Sequence, residues 1–458
     1  MALERILAAK RRRLEAAPVP EYSPEPYCGP GLADALARPG PSFILECKAA
    51  SPSAGTLMTD YDPAALAGQY AGVADAVSVL TEPEFFGGDI SHLGRVGERA
   101  DVPVLRKDFI LGPVEVREAR AHGAAAVLLM LSVLDDGDWR LCFEAAQALG
   151  MDALTEVHDE AELRRAIDFD APIIGINNRN LETLEVDLAV TERLASQIPG
   201  DRWVVCESGI SERADVLRLA PHVDAFLIGT RLSRGGRPAH TARELAFGRF
   251  KVCGLARAED ALAAWESGAV MGGMIFAPDS QRCIDLATAR RLKLAAPLDW
   301  VGVFRDQPVA SVAQHARELT LAVVQLHGGE SDGYVRDLRG RLPEGCAIWK
   351  AVPARLPFSS AEGLGVDRLL LDTGRNGRLG GSGVPFDPVA LSGADLSGCV
   401  LAGGIAPHNA TSAASFQPWA LDINSGVEAA PGIKSSALLK QVSNALRTLP
   451  GKRSHPHE

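Results

Sequence analysis

The stretch that decides the fold is Phe247-Gly-Arg-Phe-Lys-Val-Cys-Gly-Leu255, just past the midpoint of the 458-residue chain. Before it, residues 238–246 carry the polar pattern of a helix. From Arg249 the pattern changes to a short apolar run that is typical of a strand. No linker rich in Pro, Ser or Gly separates the two. We therefore expect one folded unit to end here and another to begin, with Cys253 at the tip of its first strand.

The composition is that of a globular protein with room for two domains. A chain of 458 residues is too long for a single hydrophobic core. The formal net charge is −11 and the isoelectric point is about 5.5. This balance argues against a nucleic-acid partner, because such partners require basic surfaces that meet phosphates. Basic residues inside individual pockets are still compatible with it.

The eight cysteines predict neither a metal site nor a disulfide framework, because no two of them form a CxxC pair. Residues 1–17 have the pattern of a charged amphipathic helix and lack the apolar region of a signal peptide. The longest apolar stretch, residues 124–134, is too short to span a bilayer. We therefore expect a cytoplasmic protein without membrane contact.

Short apolar runs of β type alternate with longer helical patterns along the whole chain. The first half contains eight runs, at residues 43–45, 76–80, 102–105, 125–130, 152–154, 173–176, 203–205 and 225–228. The second half contains eight more, at residues 250–252, 273–276, 300–304, 321–324, 347–349, 369–371, 400–402 and 420–421. Eight strand–helix repeats in roughly 200 residues predict a (β/α)₈ barrel.

The sequence therefore predicts an α/β protein of two tandem (β/α)₈ TIM barrels, the first with an N-terminal helical extension. We place the two domains at residues 1–248 and 249–458. The alternative is an open doubly wound sheet, which usually has a glycine-rich turn after its first strand. The first apolar run of this chain is not followed by such a turn, so the barrel is favoured.

Charged and amide side chains follow five apolar runs of the first half. The C-terminal ends of barrel strands face the active site, so polar side chains there are candidates for chemistry. Any one of them could equally be a solvated charge at the rim, but five strands that aim such groups at one mouth favour an active site. The side chains are those of Glu46, Lys48, Arg106, Lys107, Asp108, Glu156, Asn177, Asn178, Arg179, Glu207 and Ser208.

Small residues follow the seventh and eighth runs of both halves. They allow backbone N–H groups to approach an anion, as in the phosphate sites of barrels. A single glycine-rich turn is weak evidence, but the same pair in both halves predicts that both barrels bind phosphorylated ligands. The pairs are Ser208-Gly209 and Gly229-Thr230 in the first half, and Gly403-Gly404 and Ser425-Gly426 in the second.

Eleven motifs, in order along the chain, carry a family resemblance. Those of the first half are FILECKAASPSAG at 43–55, PVLRKDF at 103–109, LTEV at 154–157, GINNRNL at 175–181 and ESGI at 207–210. Those of the second half are KVCGL at 251–255, VQLHG at 324–328, LDTG at 371–374, GGSG at 380–383, LAGG at 401–404 and DINSGVE at 422–428. The first set resembles indole-3-glycerol-phosphate synthases and the second resembles phosphoribosylanthranilate isomerases. Their order, almost without a linker, is similar to that of fused bifunctional enzymes of bacterial tryptophan biosynthesis.

The resemblance implies two consecutive reactions on phosphorylated anthranilate substrates. The second half would isomerise N-(5-phosphoribosyl)anthranilate to 1-(2-carboxyphenylamino)-1-deoxyribulose 5-phosphate. The first half would close the indole ring of that product with loss of CO₂ and water. Both substrates carry a phosphate and a carboxylate, which explains basic residues in the sites of an acidic protein. No nucleotide or metal motif is present in the sequence, so we expect no cofactor, and two cores in one chain are compatible with a monomer.

For ring closure the resemblance implies that Lys107 is the acid and Glu156 the base, while Lys48 shares the proton transfers or holds the substrate carboxylate. The division of roles between Lys48 and Lys107 stays open. A nearby cation such as Lys48 is expected to lower the pKa of Lys107. Further active-site positions are Glu46, Asn177 and Glu207. Substrate and phosphate contacts are expected from Ser53, Arg179, Ser208, Gly209, Gly229 and Thr230.

For the isomerase the resemblance implies that Asp372 is the acid that opens the ribose ring and Cys253 the base that takes a proton from C2′. An electropositive mouth is expected to lower the pKa of Cys253. Arg282 matches the arginine that grips the anthranilate carboxylate, for which its planar fork is suited. His327 is interpreted as a ligand-side or structural residue. Further ligand contacts are expected from Gly403, Gly404, Asp422, Ser425 and Gly426.

Several positions depart from the family pattern without removing a proposed acid or base. Ala50 and Ala54 stand where lysine is frequent, Asn180 where Asp is usual, and Ala256 where Thr is usual. The loop after Asp372 is also longer.

Two alternatives to the predicted function stay open at this stage. One is another enzyme on the same plan, such as a phosphosugar aldolase or epimerase; the other is a scaffold in which one barrel has lost its activity, against which both residue sets are intact.

Overall fold

The computed structural model describes residues 2–52, 55–358, 361–375, 378–379 and 385–448. The chain divides into two compact units, and the boundary between them lies between Ala246 and Phe247. Each unit contains a closed barrel of eight parallel strands, which confirms the predicted pair of TIM barrels. Among the described residues, every helix is too short or too polar to cross a bilayer.

In the first barrel each strand pairs with the next one along the chain, and the first strand also pairs with the eighth, which closes the sheet. Alternate side chains of these strands fill the interior; Ile44, Leu105 and Leu154, for example, are fully buried. The eight strands are Ser42–Cys47, Ala76–Leu80, Val104–Lys107, Ala126–Met130, Asp152–Val157, Ile173–Asn177, Trp203–Glu207 and Ala225–Ile228.

Helices connect these strands, and several begin where the sequence places a capping residue. Asp135 and Asp159 each accept two backbone N–H bonds at the start of the following helix, which satisfies donors that have no partner within it. The helix Ala2–Ala16 is the predicted N-terminal extension. The others are Leu32–Leu36, Pro63–Gln69, Pro83–Phe86, His92–Gly97, Pro113–Ala121, Asp136–Ala148, Glu160–Asp168, Ala189–Ala195, Arg213–Leu219, Thr230–Ser233 and Pro238–Phe247, and a short hairpin pairs Ala50–Ser51 with Gly55–Thr56.

The second barrel closes in the same way, by pairing of its first strand with its eighth. Its interior is again apolar near the middle of the strands, with Val301, Leu370 and Val400 fully buried. The eight strands are Phe250–Val252, Met271–Ile275, Asp299–Phe304, Val323–Leu326, Ala347–Pro353, Arg368–Asp372, Val400–Leu401 and Ala420–Ile423.

The helices and hairpins of this unit complete its connections. The α-helices are Ala258–Glu266, Leu286–Ala295, Val309–Glu318, Asp332–Arg339, Ala410–Ser415 and Ser436–Arg447, and single 3₁₀ turns lie at Glu362–Leu364, Val389–Leu391 and Ser425–Val427. Two antiparallel hairpins pair Gly374–Arg375 with Arg378–Leu379 and Glu428–Ala430 with Ile433–Lys434.

The predicted strands lie in the right places, but several of their boundaries were wrong. The third strand runs over Val104–Lys107 rather than residues 102–105, and the fifth extends to Val157 rather than ending at Leu154. In both cases the strand continues through its charged residues. Lys107 and Glu156 lie in the barrel mouth, and the backbone of these charged residues still joins the hydrogen-bond ladder, although their polarity suggested a loop.

Candidate active sites

Lys107 lies at the centre of the mouth of the first barrel, between two carboxylates from other strands. Its Nζ lies 2.6 Å from Glu207 Oε2 and 3.3 Å from Glu156 Oε2. Burial alone would lower the pKa of Lys107, but Glu207, Glu156 and Glu46 more than offset this and raise it. Lys107 is therefore held as a cation with two carboxylates in direct contact.

The two carboxylates beside Lys107 have different protonation tendencies. Burial opposes the charge of Glu156, yet Lys107, His158 and the amide of Asn177, which donates at 3.1 Å, lower its pKa. Burial raises the pKa of Glu207 to about 8, and the nearby charge of Glu156 acts in the same direction, against Lys107. At neutral pH the site therefore holds an ionised Glu156 and a Glu207 that is readily protonated.

Lys48 forms a separate pair beside this cluster. Its Nζ lies 2.6 Å from Glu46 Oε1 and donates to Thr230 Oγ1 at 3.1 Å. The expectation that Lys48 lowers the pKa of Lys107 was wrong, because Glu46 neutralises Lys48 and carboxylates surround Lys107. Gly229 permits the arrangement: a Cβ there would lie 1.9 Å from Glu46 Oε1 and 2.9 Å from Lys48 Nζ.

A cavity of about 310 Å³ opens above these groups, a size that suits a small ligand. One side is polar and includes Arg179 and the turn at Ser208 and Gly209, whose positive φ angles of 64° and 94° turn the backbone sharply. The other side is apolar and suits an aromatic ring. It is lined by Leu3, Ile6, Phe86, Phe109, Leu128, Leu181 and Leu184. The predicted phosphate ligand Ser53 lies outside the described residues.

The N-terminal helix belongs to this site, which the sequence analysis missed. Leu3 and Ile6 line the cavity, and the buried Lys10 lies 2.6 Å from Asp108 Oδ1 and 2.7 Å from Glu115 Oε1. Leu3, Ile6 and Lys10 have the spacing of one helix face, and that spacing was the available signal. His158 was also missed: its Nε2 lies 3.3 Å from Glu156 Oε1, and Glu156 and Glu162 outweigh burial and raise its pKa to about 10.

The second barrel has its own cavity, of about 400 Å³, at the C-terminal ends of its strands. It brings together all the residues predicted for the isomerase site except Gly426. The lining includes Cys253, Arg282, His327, Asp372, Gly403, Gly404, Asp422 and Ser425. Gly426 follows Ser425 in the 3₁₀ turn, where a Cβ would lie 2.1 Å from the carbonyl oxygen of Ile405. Only glycine fits there.

Cys253 and Asp372 both lie buried in this cavity. Burial raises the pKa of Cys253 despite the opposing charges of Lys251 and Lys434, so the expectation of a lowered thiol pKa was wrong. Burial, followed by the charge of Asp422, raises the pKa of Asp372 to about 7. The carboxyl group is therefore partly protonated at neutral pH, as a proton donor requires.

Arg282 faces the cavity but already binds a carboxylate of its own chain. Its Nε lies 2.8 Å from Glu428 Oε1 and its Nη2 lies 2.6 Å from Glu428 Oε2; Lys434 Nζ contacts Glu428 Oε1 at 2.9 Å. This bidentate geometry is the one in which Arg binds a carboxylate. Glu428 was missed as the partner of Arg282, and Lys434 as a second cation on Glu428, although Glu428 is part of the DINSGVE motif.

His327 is neutral in this site. Burial, with the charges of Lys251, Arg305 and Lys350, lowers its pKa to about 3. Its Nε2 lies 2.5 Å from Nε2 of Gln325, so the amide donates to the imidazole in this orientation. A neutral imidazole held by an amide agrees with the interpretation of His327 as a structural or ligand-side residue.

The described residues contain no group of three or more His, Cys, Asp or Glu side chains placed to hold a metal ion. The polar part of each cavity consists of acids, bases and small residues. Each gathers its polar groups from strands that are far apart in sequence. In the first barrel, Lys107 and Glu207 are 100 residues apart.

Comparison with known proteins assigns each half to a family. Residues 3–245 match the family model of indole-3-glycerol phosphate synthase, and residues 250–445 match that of N-(5′-phosphoribosyl)anthranilate isomerase. The tryptophan biosynthesis protein TrpCF of Salmonella typhi is 43% identical over 414 residues, which cover 90% of this chain and 91% of that protein. The chain belongs to the TrpCF family.

A second TrpCF protein agrees with this assignment. TrpCF of Vibrio cholerae serotype O1 is 44% identical over 415 residues, or 90% of this chain and 88% of that protein. The crystal structure of phosphoribosyl anthranilate isomerase from Thermus thermophilus has 37% identity and a TM-score of 0.39, covering 43% of this chain and 98% of that one. The chain is thus a bifunctional enzyme of tryptophan biosynthesis, a synthase followed by an isomerase, which confirms the predicted function.

Proposed function

We propose that the second barrel isomerises N-(5-phosphoribosyl)anthranilate and that the first barrel converts the product, 1-(2-carboxyphenylamino)-1-deoxyribulose 5-phosphate, to indole-3-glycerol phosphate. The observation that carries this proposal is that each mouth brings an acid and a base to one cavity. These pairs are Lys107 with Glu156, and Asp372 with Cys253. Each cavity also has the small residues that a phosphate needs.

In the isomerase we assign Asp372 as the acid, because its pKa of about 7 leaves it partly protonated. It gives a proton to the ribose ring oxygen as the C1′–O bond breaks and an iminium forms. Cys253, as thiolate, then takes the proton from C2′, and the electron pair of that C–H bond forms the enolamine. Protonation of the enolamine at C1′ and loss of the enol proton yield the aminoketose.

In the synthase we assign Lys107 as the acid on the ketone oxygen while the anthranilate ring carbon attacks the ketone carbon. The ring then loses CO₂, which leaves its bonding electrons to restore aromaticity. Glu156, whose pKa is lowered, is suited to take a proton in the dehydration that follows. Lys48 lies beside Glu46 and Thr230 at the rim of the same cavity, where it is placed to meet an anionic group of the substrate.

The anionic ends of the substrates are assigned to the small residues and arginines of each cavity. In the first barrel we propose Ser208, Gly209, Gly229 and Thr230 for the phosphate, with Arg179 and Ser53 as further contacts. In the second barrel we propose Gly403, Gly404, Ser425 and Gly426 for the phosphate and Arg282 for the carboxylate, in competition with Glu428. Asp422 repels a phosphate, and it is already paired with Lys251, so we assign it a supporting role.

Three further proposals concern the whole chain. We propose that the synthase corresponds to residues 1–248 and the isomerase to residues 249–458; the two compact units support this division. We also propose that the enzyme works in the cytoplasm and as a monomer. Light scattering coupled to size-exclusion chromatography tests the last point, and a mass of twice 48.5 kDa would contradict it.

The direct test is to supply N-(5-phosphoribosyl)anthranilate to the purified chain. We expect its fluorescence to disappear and indole-3-glycerol phosphate to accumulate without any added cofactor. Chromatography distinguishes the intermediate from the final product, so each barrel is assayed separately in one experiment. If the substrate is consumed without formation of the aminoketose, or if borohydride traps an imine on a lysine, an aldolase-type enzyme would be the better assignment.

A further inference from the structure

Lys251 is a buried cation beneath the isomerase cavity that the proposed mechanism does not use. It lies on the first strand of the second barrel, two residues before Cys253, which follows the strand end and still donates its backbone N–H to Ile423 at 2.8 Å. Both side chains therefore point to the same face. Its side chain is completely buried. A buried lysine is costly unless it is paired, and here its Nζ lies 2.9 Å from each carboxylate oxygen of Asp422.

Two features of the barrel bring this pair close to the thiol. Lys251 and Asp422 are directly opposite each other in the register of the first and eighth strands. On the other side, Gly273 of the second strand has no side chain, and a Cβ there would lie 2.8 Å from Cys253 Sγ and 2.9 Å from Lys251 Cε. The absence of a side chain at Gly273 thus allows the lysine and the cysteine to pack against one backbone position.

The pair is also close to the proposed acid. Asp422 and Asp372 both line the cavity, and neither carboxylate is more than 8% exposed. The thiol, the ammonium group and the two carboxylates thus belong to one buried group of side chains at the isomerase cavity. In such a buried place each charge acts strongly on its nearest neighbour.

We propose that the Lys251–Asp422 ion pair is a positioning device that gives the two proton-transfer groups of the isomerase opposite charge preferences. Lys251 stabilises the thiolate of Cys253, and Asp422 keeps Asp372 protonated. Because the ion pair is neutral as a whole, it biases one group toward the anion and the other toward the neutral acid without adding net charge to the cavity. This inference rests on the proposed function of Cys253 as base and Asp372 as acid.

The electrostatics agree with the geometry. Burial has the largest effect on the pKa of Cys253 and raises it; the next largest effect is the charge of Lys251, which lowers this pKa and outweighs the charge of Asp422. Burial also has the largest effect on the pKa of Asp372 and raises it; the next largest effect is the charge of Asp422, which raises this pKa further and outweighs the charge of Lys251. The other charged or titratable groups that interact with Cys253 or Lys251 from neighbouring elements are Arg282, His327 and Lys434. One shell further out, Glu428 pairs with Arg282 and Lys434, and Arg305 and Lys350 act on His327.

The test uses Lys251→Met, which keeps the length of the side chain and removes its charge. The thiolate of Cys253 is titrated by its ultraviolet absorbance, as the difference between each chain and the same chain with Cys253→Ala. We expect the thiol to titrate at higher pH. The alkaline limb of the isomerase kcat/KM profile, which reports the higher of the two pKa values, should move with it, and kcat at neutral pH should fall about tenfold or more. Lys251→Arg, which retains the charge, should restore most of the loss.

The matched control is Lys350→Met, which removes another lysine of the same barrel that pairs with a carboxylate, Glu330. It measures what the loss of an ion pair does to folding. If Lys251→Met leaves the Cys253 titration unchanged, or moves it no more than Lys350→Met does, the inference is wrong. The proposed function itself is tested by Cys253→Ala alone: an active Cys253→Ala enzyme would contradict the assignment of the base, whatever Lys251 does.

A second variant decides the matter if Lys251→Met does not fold. Asp422→Asn removes the negative charge and keeps the size. Asp372 should then lose its proton at lower pH, so the acidic limb of the isomerase profile, which reports the lower of the two pKa values, moves to lower pH. Lys251, no longer neutralised, moves the thiol titration and the alkaline limb to lower pH as well. Limbs that both stay where they are in the parent enzyme would overturn the inference.

Discussion

The two barrels share a topology but prepare their acids and bases by different means. In the first mouth opposite charges lie in direct contact: Lys107 touches Glu207 and Glu156. The charge of Lys107 and those of its partners outweigh burial, so the pKa of Lys107 is raised and that of Glu156 is lowered. In the second mouth burial outweighs the neighbouring cations, and the pKa values of both Cys253 and Asp372 are raised. The comparison shows that one scaffold supports proton transfer either by pairing charges or by desolvating them.

The largest expected effect separates the two mouths completely. Cys253→Ala or Asp372→Asn should lower the isomerase kcat about 10²–10⁴-fold, the usual contribution of a proton-transfer group, and leave the synthase rate nearly unchanged. Each reaction is measured with its own substrate. Cys346→Ala, which replaces a buried thiol of the same barrel outside the cavity, is the control and should retain activity. An equal fall in synthase activity would contradict the assignment of separate sites.

The reverse experiment is Lys107→Ala, with an expected loss of about 10²–10⁴-fold in synthase kcat and a normal isomerase. The substitution also leaves Glu207 and Glu156 without their cation, so their pKa values should rise and the pH profile of the residual activity should change. The variant Lys48→Ala shows how the roles are divided between Lys48 and Lys107. A larger effect on KM than on kcat would assign Lys48 to substrate binding, whereas a kcat loss equal to that of Lys107→Ala would make it a second acid.

The pH dependence sharpens the same contrast. The pKa of Asp372 is raised to about 7, whereas that of its partner base Cys253 is raised from a higher starting value. Above pH 7 the loss of protonated acid is therefore offset by the gain of thiolate, so isomerase kcat/KM should rise up to about pH 7 and then level off. In the synthase the pKa of the base Glu156 is lowered and that of the acid Lys107 is raised, so we expect its acidic limb at lower pH than that of the isomerase. Profiles of both activities on one enzyme preparation test this, and coinciding limbs would refute it.

The raised pKa of Asp372 also predicts a cost in stability. In the folded chain this carboxyl group keeps its proton at pH values where the unfolded chain, near 3.8, has lost it. The folded state therefore binds more protons, and stability falls as the pH rises from about 4 to about 7. Asp372→Asn should remove this penalty and raise the unfolding temperature of the second barrel at neutral pH. Calorimetry at acidic and neutral pH measures the change in unfolding temperature that Asp372→Asn causes. An equal change at both pH values would point to another cause.

The smallest expected effect concerns the N-terminal helix. Lys10→Met breaks a buried contact with Asp108 and Glu115, and removal of one partner of a buried ion pair typically costs about 3–5 kcal/mol. Because Asp108 adjoins Lys107, we also expect a loss of about tenfold in synthase kcat, with the isomerase unaffected. Arg11→Met, at an exposed position of the same helix, is the control. Equal behaviour of the two variants would show that the helix does not position the acid.

The sequence determined the architecture and the identity of most groups in each mouth. Eight apolar runs in each half predicted two closed barrels, since the period of strands and helices depends on local patterns. Most side chains predicted at strand ends lie at the mouths, because the C-terminal ends of parallel barrel strands meet there. For Arg106 and Asn178 the prediction was wrong, since they contact Glu118 and Thr191 of the surrounding helices. Glu46 and Lys48, the latter directly after the strand end, form an ion pair, in agreement with their predicted shared face.

Only the tertiary structure decided how these groups are charged. The prediction that Lys48 lowers the pKa of Lys107, and that the mouth lowers the pKa of Cys253, was wrong in both cases. A pKa depends on burial and on distances between side chains of strands up to 100 residues apart, such as Lys107 and Glu207. Likewise, only the fold could show that Lys10 forms an ion pair with Asp108 and that Glu428 forms one with Arg282. Local patterns fix which face a side chain takes, whereas the closure of the barrel fixes its neighbours.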